Sequence, residues 1–272
     1  MGGKIMGWRI GMVAVFALAG SVLPLATSVS SVPKPPFSMV NLWPGQEQIQ
    51  PEQEARLITV KILSSPREKR DRSLGSGVLF YKDKLTSTYG VITNNHVLQA
   101  GDAPYSIQTP DGKIHRANPV VQKKQLRGND LALLEFVADS EYRITTKSNQ
   151  QATTGDWVIA AGFPLKNSKS KSGGFVIKTG KIQLVLDKAL EGGYQIGFTN
   201  DIEKGMSGGP LLNRAGELVG INGLHANPIW GDPYVFEDGS YPTDALREQI
   251  SQYSWGIPLE TVKQLFIAKS NS

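Results

Sequence analysis

The chain has 272 residues, 40% of them apolar, with 29 glycines and 16 prolines, a composition that fits many short strands and turns and argues against a helical bundle. A net charge of +5 is too mild to argue for a nucleic-acid partner. With no cysteine there is neither a disulfide nor a thiolate metal site, so stability must come from packing.

Residues 1–28 read as a secretory signal. Lys4 and Arg9 give a positive start, Ile10 to Ala26 carries no charge, and Ala26-Thr27-Ser28 puts small residues where a signal peptidase reads. The competing reading is an uncleaved membrane anchor. Ile10 to Ala26 falls at the short end of the roughly 17–25 residues a span needs, and Gly11, Gly20 and Pro24 weaken it as a helix. Residues 29–54, with Pro33, Pro35, Pro36, Pro44 and Pro51, read as a Pro-rich linker or arm. The basic stretch Arg67 to Arg72 is interrupted by Glu68 and Asp71 and reads as a solvated loop.

From Ala55 the pattern turns strand-like. Strands are expected at Leu57 to Leu63, Gly77 to Phe80 and Tyr89 to Thr93. Tyr105 to Thr109 and Ile114 to Ala117 flank Pro110-Asp111-Gly112, a hairpin signal. Leu131 to Val137 is another strand, and a polar stretch, 145–154, follows it. The second half repeats the style at Asp156 to Gly162, Phe175 to Val185, Tyr194 to Phe198, Pro210 to Leu212, Glu217 to Ile221 and Ser254 to Pro258. Pro258 to Ile267 reads as a closing amphipathic helix with Leu259, Val262, Leu265 and Phe266 on one face. Two runs of short strands divided by a polar stretch point to two packed barrels, and no repeat of fixed period is evident.

Three segments carry chemistry: Thr93-Asn94-Asn95-His96-Val97, Gly128-Asn129-Asp130-Leu131 and Gly205-Met206-Ser207-Gly208-Gly209-Pro210. A serine hydroxyl needs a base to take its proton, and the base needs a carboxylate to fix its tautomer. The negative tetrahedral intermediate needs N–H donors, here expected from Gly205 and Ser207. His96 is the one histidine with a strongly patterned neighbourhood; His115 lies in an alternating hairpin strand and reads as surface. Asp130 opens an apolar strand. Asp102 and Asp139 are alternative acids, neither at a buried strand entry. Read singly, each segment also fits a structural turn.

In the order His, Asp, Ser the three segments resemble a chymotrypsin-fold (trypsin-like) serine protease of the disulfide-free bacterial kind. Gly75-Ser76-Gly77, Gly155-Asp156-Trp157-Val158 and Gly162-Phe163-Pro164 match further framework segments, so the resemblance spans about 55–268. It implies an all-β fold: two six-stranded Greek-key β-barrels, one over about 55–144 and one over about 145–258, and a closing helix over 258–267. It implies an exported serine endopeptidase, periplasmic or secreted, acting through an acyl-enzyme. His96 is then the base, Asp130 its orienting group and Ser207 the nucleophile, with protein or peptide substrates, no nucleic acid, and a membrane contact only if residues 10–26 persist. No cofactor and no metal are expected, and no D-x-D-x-D-G calcium loop is present. Few residues follow the closing helix, so no PDZ domain is expected.

Asn95 departs from the family's usual alanine. Met206 stands where trypsin-type zymogens carry the aspartate that receives a new N-terminus. For specificity, Asp201 stands where trypsin-like members place a buried aspartate that favours Arg or Lys, while Gly223, Leu224 and His225 are expected on the pocket wall. His225 would instead favour an acidic side chain; small or apolar residues are the remaining reading. Lys166 to Gly174 is a basic loop open to self-cleavage by a Lys- or Arg-specific enzyme. Asn227 to Gln252 is an insertion expected to screen the pocket. The alternatives from other classes are a protease-fold binding protein without catalysis and a membrane-tethered scaffold.

Overall fold

A computed structural model describes residues 50–64, 72–120, 128–165, 174–226 and 234–270, the last six of these by backbone alone. All belong to one compact unit, Glu47–Ser272. The expected signal or anchor, the linker up to residue 49 and the basic stretches 65–71 and 166–173 lie outside the described residues.

Twelve strands close into two antiparallel six-stranded barrels. The first contains β1 (Thr59–Ser64), β2 (Arg72–Asp83), β3 (Thr88–Thr93), β4 (Tyr105–Gln108), β5 (Ile114–Pro119) and β6 (Ala132–Val137). Its order is β1-β2-β3-β6-β5-β4, closed by β1 against β4 with Ile62 opposite Ile107. The second contains β7 (Trp157–Gly162), β8 (Val176–Leu190), β9 (Tyr194–Phe198), β10 (Pro210–Leu212), β11 (Leu218–Leu224) and β12 (Ser254–Pro258). Its order, β7-β8-β9-β12-β11-β10, repeats that of the first, with Leu211 opposite Ala160 at the closure. The repeat is one of topology alone, which explains why no sequence period announces it.

Four helices lie among the described residues: α1 (Pro51–Ile58), α2 (Asn95–Gln99), α3 (Asp244–Ser251) and α4 (Leu259–Ser270). Two expectations need correction at α1. Residues 51–54 are not linker, and Leu57 and Ile58 are helical, so the strand starts at Thr59. Pro51 presets the first helical turn, Glu52 and Glu54 favour its positive end, and Ala55 and Ile58 bury one face. The sequence of β-branched residues from Ile58 onward hides that boundary. The closing helix α4 buries Leu259 and Val262; the side chains of Leu265 and Phe266 lie outside the described residues.

Each barrel has its own core. Val60, Ile62, Leu79, Val91, Leu134 and Phe136 fill the first, and Val158, Ile182, Ile196, Phe198 and Leu211 the second. A third cluster lies between the barrels and joins Val78, Phe80 and Ile92 of the first to Ile159, Leu212 and Leu218 of the second, with Ala55 and Ile58 of α1. Strand β2 shows why: Leu79 faces its own barrel while Val78 and Phe80 face the neighbour, so the strand is buried without a break from Leu74 to Phe80.

The polar connection between the barrels is bonded to both. Thr145 N donates to Leu79 O (2.8 Å) and Lys147 Nζ to Phe80 O (3.1 Å) on one side. On the other, Leu218 N donates to Thr146 O (2.8 Å) and Ser148 N to Leu218 O (3.0 Å). Arg143 Nε reaches the buried Glu54 of α1 at 2.5 Å. The described part of the 227–252 insertion lies along the end of β8 and includes α3, with Phe236 bridged to Leu190 and Lys188 paired to Asp238 at 2.6 Å.

Candidate active site

Thr93 ends β3, and α2 begins two residues later. Val97 and Leu98 are drawn into the barrel-one core, which leaves His96 on the other side of that single turn with its side chain 42% exposed. Asp130 precedes β6. Its Oδ1 accepts the backbone N–H of His96 at 2.8 Å and its Oδ2 meets His96 Nδ1 at 2.5 Å. The Asp130 backbone is held as well: its N–H donates to Gly192 O of the β8–β9 turn (2.8 Å), and Asn94 Nδ2 donates to its carbonyl (2.8 Å). A carboxylate facing Nδ1 favours the tautomer that carries its proton there and its free lone pair on Nε2.

The serine segment is shaped by glycine. Gly205 has φ +100°, and a Cβ there would meet Phe163 O at 2.6 Å and Leu165 N at 2.7 Å. Gly208 has φ +84° and packs so closely on Thr93 and Ser76 that a Cβ would overlap both; it would lie 3.1 Å from Asn94 N. The serine loop is thereby packed against the segment that carries His96. Ser76 N donates to Ser207 O (2.9 Å), and Thr93 Oγ1 donates to Ser76 O (2.7 Å). Met206 N donates to Glu203 O (2.9 Å) and its side chain is fully buried, which anchors the middle of the loop. On either side of it, the N–H groups of Gly205 and Ser207 donate to no group among the described residues. The Ser207 hydroxyl donates to Gly223 O at 2.9 Å.

Of the expected site residues, His96 and Asp130 are in contact, and Gly205, Ser207 and Gly223 form one continuous patch. Leu224 is half-buried against the interbarrel cluster, and His225 is half-buried with Nδ1 3.0 Å from Ala226 O. Asp201 departs from expectation. It is exposed, while its neighbours Asn200 and Ile202 turn inward and Asn200 Nδ2 donates to Lys178 O (2.7 Å) and Val158 O (3.1 Å). A buried carboxylate at this position is therefore not formed by Asp201. Of the alternative acids, Asp102 accepts from Ser64 Oγ through its backbone carbonyl (2.6 Å), and among the described residues the carboxylate on His96 is that of Asp130. His115, expected at the surface, is partly buried against Phe136 and bonded to Tyr142 Oη at 2.9 Å; burial lowers its pKa.

Two further side chains at the site have contacts that the sequence motifs do not announce. Ser76 is fully buried; its Oγ donates to Gly205 O (2.8 Å) and accepts from Phe163 N (2.8 Å). Its flanking glycines, Gly75 and Gly77, mark the segment, but nothing in the sequence places it under the serine loop. Tyr194, 2% exposed at the start of β9, donates its hydroxyl to Asp130 Oδ2. Burial first and the Asp130 charge second raise its pKa well above the usual phenol value.

The trypsin-like peptidase domain model matches residues 75–221, more than half of the chain. Serine endoprotease DegS of Haemophilus influenzae is 35% identical over 158 residues, covering 56% of this chain and 42% of that protein. Periplasmic pH-dependent serine endoprotease DegQ of Escherichia coli is 35% identical over 150 residues, covering 55% of this chain and 30% of that one. The chain thus matches less than half the length of these relatives. A solved serine endoprotease from Yersinia pestis superposes with a TM-score of 0.56 over 81% of this chain and 65% of that one, at 23% identity, and shares the fold.

Proposed function

The chain belongs to the trypsin-like peptidase domain family, and from that premise we propose that it is an exported serine endopeptidase working through His96, Asp130 and Ser207. The observation that carries this reading is the grip of Asp130 on both the backbone N–H and the ring of His96. An aspartate serving only as a turn cap has no use for an imidazole.

In this mechanism the Ser207 hydroxyl turns from Gly223 O toward His96 Nε2 when a peptide enters. Ser207 Oγ attacks the scissile carbonyl carbon as His96 Nε2 takes its proton, and Asp130 stabilises the imidazolium across Nδ1. The carbonyl oxygen, now negative, accepts from the Gly205 and Ser207 N–H groups. His96 returns the proton to the leaving amine, and the C–N bond breaks to give the acyl-enzyme. Water then adds by the same route, giving its proton to His96, which returns it to Ser207 Oγ as the ester C–O bond breaks and the carboxylate product leaves.

Export is supported by the positive, apolar and small-residue order of residues 1–28, and by the word periplasmic in the relative's name. Among the described residues no helix is long and apolar enough to cross a membrane. Edman sequencing of the mature chain decides between cleavage after Ser28 and a retained anchor or tethered scaffold.

The Ser207–Gly223 bond favours a second reading, a protease-fold binding protein that has lost catalysis. A fluorophosphonate probe separates the two. Covalent labelling at Ser207, abolished by His96→Ala, is expected of the peptidase; a folded protein that neither labels nor cleaves casein selects the binding protein.

A further inference from the structure

The Asp130 carboxylate has a partner from the opposite barrel. We infer that Tyr194 is a positioning residue for Asp130, its buried phenol fixing Oδ2 in line with His96 Nδ1. This inference rests on the endopeptidase reading above and names a residue that acts through Asp130 rather than on substrate.

Three observations support it. First, a phenol that is 2% exposed must find an acceptor within the protein, and the acceptor here is the same carboxylate oxygen that meets the imidazole. Second, the surroundings are cut to admit the ring. A Cβ on Gly223 would overlap the Tyr194 hydroxyl and lie 2.6 Å from its ring, and a Cβ on Gly192 would come within 3.0 Å of the ring and 3.2 Å of the Asp130 Cβ. Gly192 and Gly193 both take positive φ, +83° and +84°, in the turn that delivers Tyr194. Third, Gly192 O accepts the Asp130 N–H at 2.8 Å, so the same turn holds the backbone and, through Tyr194, the side chain of Asp130. The raised phenol pKa keeps the hydroxyl a donor across the working range of pH.

The titratable groups that meet at the carboxylate are His96 from α2 and Tyr194 from β9; the backbone partners, Asn94 and Gly192, are neutral. A phenol donor drains negative potential from Oδ2. Its loss leaves the carboxylate a stronger partner for the imidazolium, so the His96 pKa rises, while the carboxylate gains freedom to leave the line of Nδ1.

The test replaces Tyr194 by Phe, which keeps the ring. In an active background, Tyr194→Phe is expected to lower kcat about 10-fold with KM unchanged, and to move the acid limb of kcat/KM upward by about half a pH unit. In a Ser207→Ala background, NMR titration of His96 reads the same rise without any turnover, together with a shift of the downfield Nδ1–H resonance. A folded Tyr194→Phe protein whose His96 midpoint and Nδ1–H resonance match those of its parent overturns the inference. If Tyr194→Phe does not fold, 3,5-difluorotyrosine at 194 serves instead: its stronger donor must move the His96 midpoint down, and an unmoved midpoint overturns the inference. Because the NMR arm uses no substrate, the two ideas fail separately. A wild-type protein that neither labels nor cleaves refutes the endopeptidase reading, while the His96 titration alone decides the role of Tyr194.

Discussion

In barrel one the candidate site is fixed by side chains. Asp130 accepts from the His96 backbone and ring, and Asn94 holds the Asp130 carbonyl. In barrel two it is fixed by main chain: Gly205 and Gly208 take conformations closed to other residues, Met206 is anchored through its amide, and Ser207 contributes the one side chain proposed to react. Barrel one thus depends on which functional groups are present, barrel two on which backbone angles are open. The two are also cross-linked. Tyr194 of barrel two donates a hydroxyl to Asp130, and Ser76 of barrel one donates one to Gly205 O.

The sharpest break comes from the reacting groups. Ser207→Ala and Asp130→Asn are each expected to lower kcat by about 10⁴-fold, and the double variant by little more, since the members act as a unit. Steady-state kinetics on one peptide substrate measure all three; additive losses would show that the barrels contribute independently.

Ser76→Ala tests the hydroxyl that crosses the other way. It leaves the buried Gly205 carbonyl and Phe163 N–H without that partner, so a stability loss of about 1–3 kcal/mol is expected in urea. A fall in kcat of about 10-fold with KM held is expected alongside it, because the Gly205 N–H belongs to a loop that has lost a support. Stability loss with full kcat would confine Ser76 to the core.

Arg143→Ala isolates the tie outside the barrels. Glu54 is buried, and burial raises its pKa above the ordinary 4.5 against the lowering effect of Arg143. The folded state therefore binds more protons than the unfolded one just above pH 4.5, and stability falls as pH rises through that window. Removing Arg143 raises the Glu54 pKa further and steepens the fall. Arg143 is 43% exposed, so solvent screening limits the loss at pH 7 to about 1–2 kcal/mol. Thermal melts between pH 4 and 8 read the slope; a pH-independent loss would contradict the assignment to Glu54. The smallest effect is expected from Asp201→Asn: with an exposed side chain, its replacement leaves a peptide-library cleavage profile unchanged. A lost preference for Lys or Arg would return Asp201 to the pocket.

The legibility of the sequence follows the same division. His96, Asp130 and Ser207 stand out as candidates because each sits in a local pattern: a residue type next to a strand end, or a serine among glycines. The strands were legible for a similar reason, since alternation and turn residues are local. The contacts of Tyr194 and Ser76 were not, because their partners lie 64 and 129 residues away and neither a Gly-Ser-Gly segment nor a tyrosine at a strand start says what it will meet. Asp201 failed in the opposite sense. Its interval from Ser207 matched the resemblance, but whether a loop residue faces inward depends on neighbours, here Asn200 and Ile202, that interval alone does not encode. Helix α1 was missed because its buried face continues directly into β1.

The connection at 145–148 alternates its bonds between Leu79 and Phe80 on one side and Leu218 on the other. A segment bonded to both neighbours at four points is tied down where a hinge between two barrels would need slack. The serine loop, pinned by Met206 and by the close approach of Gly208 to Thr93 and Ser76, shares that fixed setting.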